Sequence, residues 1–231
     1  MIPILLTASI KPNAIYTEHV DIEKRKKEYI DSINFYKKFS KVYFIENTNF
    51  DACSDNDFPK DNNIIYISIK NRSNVDWIRG KGYQEFRMID EFVKNYLIED
   101  YFIKITGRYI FKNFKRLYEE VVTQNLSNSN IALIDLYRDK KCNTQIFYIP
   151  KNSYLKNLYG CYVDINDSKM NWAEHIIFKK IILMGNYKRF NKMPITEVIS
   201  GSTGFLYKNN SIRIVLSNII RFIHKSKKVI I

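Results

Sequence analysis

The chain has 231 residues, 45% of them hydrophobic and 15% aromatic, with little glycine or proline. This suits one α/β domain with a full core and excludes a disordered or fibrous protein. Lysine and arginine outnumber the carboxylates 37 to 24, and the net charge of +13 calls for an anionic partner: nucleic acid, a membrane surface or a phosphorylated ligand.

The run Ile4 to Leu6 after Pro3, passing into Thr7-Ala8-Ser9, reads as a first buried strand. Asp21 is placed to cap a helix in which Ile22, Tyr29, Ile33 and Tyr36 recur at helical spacing. Lys41 to Glu46 is a second strand, Asn49 to Asn63 a polar loop, and Ile64 to Ile69 a third strand. Phe86, Ile89, Val93 and Leu97 mark one helix face, and Tyr101 to Ile105 is the fourth strand. Asn113 to Thr123 reads as a helix, Ile131 to Leu136 and Thr144 to Ile149 as strands, with a polar turn between those strands. Ser153 is expected to cap a short helix reaching Tyr162, and Asn171 a longer one through Met184; a last helical pattern runs from Ser211 to Lys228. Short apolar strands alternating with helices predict an α/β sandwich with a mostly parallel central sheet flanked by helices. One domain is expected: a ligand-binding half over 1–110, a second half over 111–210, and a basic amphipathic helix over 211–231.

Cys53, Cys142 and Cys161 are scattered, no Cys-x-x-Cys or signal-peptide pattern occurs, and a reducing cytoplasm is expected. Three histidines without paired spacing do not make a zinc site, and no apolar run reaches membrane-spanning length.

Two stretches carry chemistry. In Arg79-Gly80-Lys81-Gly82 the glycines let backbone approach a phosphate, the following helix start is partly positive, and Lys81 adds a full charge. The plain alternative is a turn with solvated cations. In Lys104-Ile105-Thr106-Gly107-Arg108-Tyr109, Lys104 and Thr106 leave the strand on one side, and Gly107 lets Arg108 turn to grip an anion. The alternative is an edge strand with an outward lysine.

Together Thr7-Ala8-Ser9, the strand ending Glu46-Asn47, Gly80-Lys81-Gly82 with Glu85, Lys104 to Tyr109, and Gly201-Ser202-Thr203-Gly204 resemble a group of small bacterial glycosyltransferases of capsule and lipopolysaccharide assembly with a GT-A-like nucleotide-sugar fold. The resemblance implies a nucleotide-sugar donor held by Thr7, Glu46, Lys81, Gly82, Glu85, Lys104, Thr106, Gly107 and Arg108. It implies a lipid-linked glycan acceptor met by Tyr109, Arg138 and Trp172, and a place on the inner face of the cell membrane. The family's usual metal-binding Asp-x-Asp at the fourth strand end is replaced here by Thr106-Gly107-Arg108, while Asp55-Asn56-Asp57 comes too early, in a loop. Lys104, Arg108 and Lys81 are therefore expected to neutralise the diphosphate with no metal required.

An inverting transfer needs a carboxylate base, and Glu174, in the first turn of its helix, is the candidate. Asn171 with Glu174 three residues on also reads as a capping box. Asp135 at a strand end and His175 beside Glu174 are the other candidate catalytic groups. Ile212, Val215, Ile219, Ile220 and Ile223 alternate with Arg213, Arg221, Lys225, Lys227 and Lys228. Such a helix either lies on an anionic bilayer or packs on the domain with its basic residues in water. A nucleic-acid-binding protein would account for the charge and aromatics, but no nucleic-acid motif occurs and that partner is not expected.

Overall fold

The computed structural model describes residues 1–69, 77–127 and 130–223. The elements are β1 (Ile4–Ala8), α1 (Ile22–Tyr36), β2 (Val42–Glu46), β3 (Ile64–Ser68), α2 (Lys81–Asn95), β4 (Tyr101–Thr106), α3 (Phe114–Leu126), β5 (Ala132–Leu133), β6 (Ile146–Pro150), α4 (Lys151–Asn157), α5 (Ala173–Met184), β7 (Tyr187–Lys188), β8 (Glu197–Ile199), β9 (Leu206–Lys208) and α6 (Ser211–Ile223). Seven strands form one sheet in the order β3-β2-β1-β4-β6-β5-β7, and β8 and β9 make a separate hairpin. The strands β3, β2, β1 and β4 are mutually parallel, β6 runs antiparallel to β4 and β5, and β7 is parallel to β5. The chain is thus the α/β fold with a mostly parallel sheet that its pattern predicts.

Side-chain parity divides the core. Leu5, Tyr43, Ile45, Phe102 and Phe147 face the layer of α2, α4 and α5, where Phe86, Ile89, Phe92 and Ile177 meet them. Ile4, Leu6, Phe44, Ile103 and Ile105 face α1 and α3, meeting Tyr29, Ile33, Phe114 and Leu117. With both faces covered, the parallel strands are near-continuously apolar rather than alternating, as burial on both sides requires.

Several local expectations change. Asp21 caps α1 as read, its carboxylate accepting the Lys24 N–H at 3.1 Å. The strand expected over 131–136 is only Ala132–Leu133, and the chain beyond it drops into the buried Asp135. Ser153 is not a cap: α4 starts directly at Lys151, with Pro150 as its N-cap. Nor is Asn171: it pairs as a bridge with Asn166, and Trp172 holds the N-cap of α5 without a side-chain bond. The capping-box reading of Glu174 therefore has no counterpart in the structure. The expected helix over 211–228 is described through Ile223; Lys225, Lys227 and Lys228 lie outside the described residues. Among the described residues no helix is long and apolar enough to cross a membrane.

Candidate functional site

From β1 the chain steps outward through β2 to β3, then returns to place β4 on the other side of β1. The carboxyl ends of β1 and β4 therefore flank a topological switch point, where open α/β sheets form their ligand crevice. A first cavity of about 110 Å³ lies there, reached by Thr7, Lys81, Glu85, Thr106 and Arg108, and closed on one side by Gly201. Five of the residues singled out from sequence are thus brought together by three elements and a turn.

Parity explains the floor. Thr7 on β1 and Lys104 and Thr106 on β4 all point to the α2 layer, where Glu85 meets them. Oε1 of Glu85 accepts from Thr7 Oγ1 at 2.5 Å, Thr106 Oγ1 at 3.2 Å and Lys104 Nζ at 2.7 Å. Lys104 is wholly buried, and its remaining bonds go to Thr106 Oγ1 at 2.9 Å and the Thr144 carbonyl at 2.6 Å. This corrects the expectation that Lys104 faces the diphosphate. It lies beneath the cavity and fixes Glu85, and burial holds its pKa below the ordinary lysine value.

A cation the sequence reading missed takes that place in the cavity wall. Arg25 on α1 is buried, donating from Nε to the Ser9 carbonyl at 2.9 Å, from Nη1 to the His19 carbonyl at 3.0 Å and from Nη2 to Tyr29 Oη at 3.2 Å. Its signal was present: Arg25 lies four residues before Tyr29, on the apolar face of α1. A cation on a buried helix face needs partners, or a ligand, to be stable there. Arg108 is held from behind by Glu28 at 2.8 Å and by the Ile199 carbonyl at 3.1 Å. Lys81 donates to the Tyr16 carbonyl at 2.7 Å and Ser202 Oγ at 2.6 Å, so it fastens the turn after β8 across the cavity. Burial lowers its pKa, Asp167 opposes that, and the nearby Arg108 and Arg25 charges lower it further.

The glycines serve packing. A Cβ on Gly82 would stand 2.9 Å from that of Ala173, so this residue lets α2 and α5 touch; it is not a phosphate-approach point. A Cβ on Gly107 would come within 2.6 Å of the Thr7 carbonyl oxygen. The Asp167 carboxylate lies against Gly80 at the start of α2; burial raises its pKa, and the nearby Gly82 and Lys81 N–H groups oppose that rise. Arg79 turns away to the Val163 and Ile165 carbonyls. Glu46 is buried and organises loops, accepting from the N–H groups of Ile10, Thr48 and Phe50; it is not in the cavity wall.

A second cavity of about 180 Å³ lies on the far side of Thr106, between the 141–145 segment, the first turn of α5 and the β9–α6 junction; Glu174, Asn143, Tyr207, Asn209 and Arg213 line it. Glu174 lines the second cavity, and its charge reaches Lys104, Tyr109 and Lys81. Tyr109 is half-buried beside Phe111, with burial raising its pKa to about 12. Trp172 makes an edge contact with Tyr16. His175 puts Nδ1 3.2 Å from the Lys140 carbonyl oxygen, Arg138 is exposed, and neither lines a cavity.

Asp135 requires a correction. Both its oxygens are bound by Arg221, at 2.8 and 2.7 Å, and each partner's side chain is 1% exposed. A carboxylate so held has no oxygen left to accept a substrate proton, so the candidate base becomes the anchor of α6. Asp55 and Asp57 are both drawn to Lys26 on α1, away from either cavity. At the end of β4 the donor set is a threonine, a glycine and an arginine. A guanidinium at that point does not fit a bound metal ion, and no cluster of three ligating side chains occurs among the described residues.

No protein-family model matches the chain, and no curated protein matches it. Solved structures similar to it include the galactosyltransferase LgtC in complex with donor and acceptor sugar analogs, at 10% identity over 81% of this chain and 73% of that one, TM-score 0.48. Another is CMP:2-keto-3-deoxy-manno-octonic acid synthetase complexed with CTP, at 11% identity over 98% of this chain and 100% of that one, TM-score 0.45. A third is 4-diphosphocytidyl-2C-methyl-D-erythritol synthase from Anaerococcus prevotii DSM 20548, at 11% identity over 95% and 97%, TM-score 0.44. At TM-scores below 0.5 these likenesses carry no argument about what the chain does.

Proposed function

We propose that the chain is a GT-A-like glycosyltransferase, taking a nucleoside-diphosphate sugar in the first cavity and an acceptor hydroxyl in the second. The observation that carries this reading is the convergence of Lys81, Arg25 and Arg108, from three elements, on a switch-point cavity floored by Glu85. The cations stabilise the charge that grows on the departing diphosphate, with no metal ion required. The free oxygen of Glu85 accepts from donor hydroxyls. Glu174, in the wall of the second cavity, takes the proton of the acceptor hydroxyl as the hydroxyl oxygen bonds to the anomeric carbon and the bond from that carbon to the diphosphate oxygen breaks, inverting the centre. The acceptor is a lipid-linked glycan of a surface polysaccharide.

The test is transfer from a panel of nucleoside-diphosphate sugars with chelator present. Arg108→Ala is expected to lower kcat/KM by about 10²-fold or more, as loss of a charged contact to the leaving group does. Turnover by that variant at the wild-type rate, or thermal stabilisation by oligonucleotides and not by nucleoside diphosphates, overturns the proposal.

A further inference from the structure

The helix α6 is docked the unusual way round. Its inward side is Ile214, Ser217, Asn218 and Arg221, of which Ser217 and Arg221 are buried. Arg221 pairs with Asp135 and donates to the Phe190 carbonyl at 2.5 Å, and Asn218 Oδ1 accepts the Met193 N–H at 2.9 Å. The outward side is Ile212, Val215, Leu216, Ile219 and Ile223, between 49% and 70% exposed. Their spacing of three, one, three and four residues makes a single apolar stripe. Phe205 and Leu206 on the neighbouring β8–β9 hairpin are exposed too. A soluble surface rarely carries so continuous an apolar stripe without a partner for it. The alternative in which this helix packs with its basic residues in water holds for Arg213, which is exposed, and fails for Arg221, which is the inward anchor.

Charge identifies the partner. After Glu197 the sequence has no carboxylate as far as residue 231, while Lys208, Arg213, Arg221, Lys225, Lys227 and Lys228 fall in that stretch. A second copy would bring the same carboxylate-free segment and a further +13 net charge against this one. We infer that the α6 stripe, with Phe205 and Leu206, lies in the headgroup region of an anionic lipid bilayer, apolar side chains inserted and cations against the headgroups. Arg213 and Tyr207 belong both to this surface and to the second cavity, so docking brings the mouth of that cavity to the lipid surface. This last point rests on the reading of the second cavity as the acceptor site; the docking itself does not.

The test is co-sedimentation of the full chain with phosphatidylcholine vesicles, with and without phosphatidylglycerol, alongside sedimentation velocity without lipid. The chain is expected to bind the anionic vesicles at least tenfold more tightly than the neutral ones, and high salt is expected to weaken binding. The double variant Leu216→Glu with Ile219→Glu is expected to lose at least tenfold in vesicle binding. Because both side chains face outward, its thermal midpoint and its transfer to a water-soluble acceptor should be unchanged. Equal binding by variant and wild type, no preference for anionic lipid, or a dimer that the variant dissolves while vesicles are ignored, each overturns the inference. Absence of transfer by the wild-type chain, with its preference for anionic vesicles intact, counts against the enzymatic reading alone.

Discussion

Two ion pairs, one on the central strand β4 and one just past β5, differ in what they leave open. Asp135 and Arg221 use both carboxylate oxygens on each other and are sealed from water, so the pair holds α6 to the body and does nothing else. Glu85 and Lys104 use a single carboxylate oxygen, shared among three donors, and Glu85 remains 22% exposed at the floor of the first cavity. A carboxylate with one clamped oxygen and one free is pre-positioned for a ligand; one with both clamped is an anchor.

This contrast predicts different costs. Asp135→Ala leaves a buried guanidinium unpaired and should lower unfolding stability by about 3–5 kcal/mol, measured by urea denaturation. A loss below about 1 kcal/mol would show that the pair is not sealed. Glu85→Gln keeps the three hydrogen bonds and should lower stability by only roughly 1–3 kcal/mol, because the site is partly open. Under the proposed function it should also lower transfer far more than it lowers stability. Gly82→Ala forces apart α2 and α5, on which the Glu85 and Glu174 side chains ride, and should lower the stability by about 1–3 kcal/mol.

pH probes a third carboxylate, the buried Asp90. Burial raises the Asp90 pKa from 3.8 to about 6, while its bonds from Tyr154 Oη and Gly160 N–H oppose that rise. The native state therefore binds more protons than the unfolded chain between those values, and stability falls as pH rises through that window. The fall should approach about 3 kcal/mol across that window and be absent in Asp90→Asn, read from urea midpoints along a pH series.

Much of this was legible in the sequence, for reasons that differ by residue. The ends of β1 and β4 announced themselves because apolar runs gave way to Thr7 and Thr106, and strand parity then put both beside Glu85. Asp21 was readable because capping is local. Asp135 misled because its partner is 86 residues away, and no spacing rule links a strand-end aspartate to an arginine on the last helix. Asp167 was invisible for the same reason: it comes from a distant turn to lie against Gly80 at the start of α2, where a phosphate seemed to fit. Asn171 had the composition of a cap but is committed to a bridge with Asn166. Arg25 was the avoidable omission, a cation on an apolar helix face.

The turn after β8 has a consequence for how anything enters the first cavity. Ser202 and the Ile199 carbonyl already accept from Lys81 and Arg108. An incoming anion must displace these oxygens, so entry is an exchange of partners, and its speed is capped by how often the hairpin lets go. The same hairpin runs on through Asn209 into α6, so the wall of the first cavity and the outward-facing helix are one continuous length of chain.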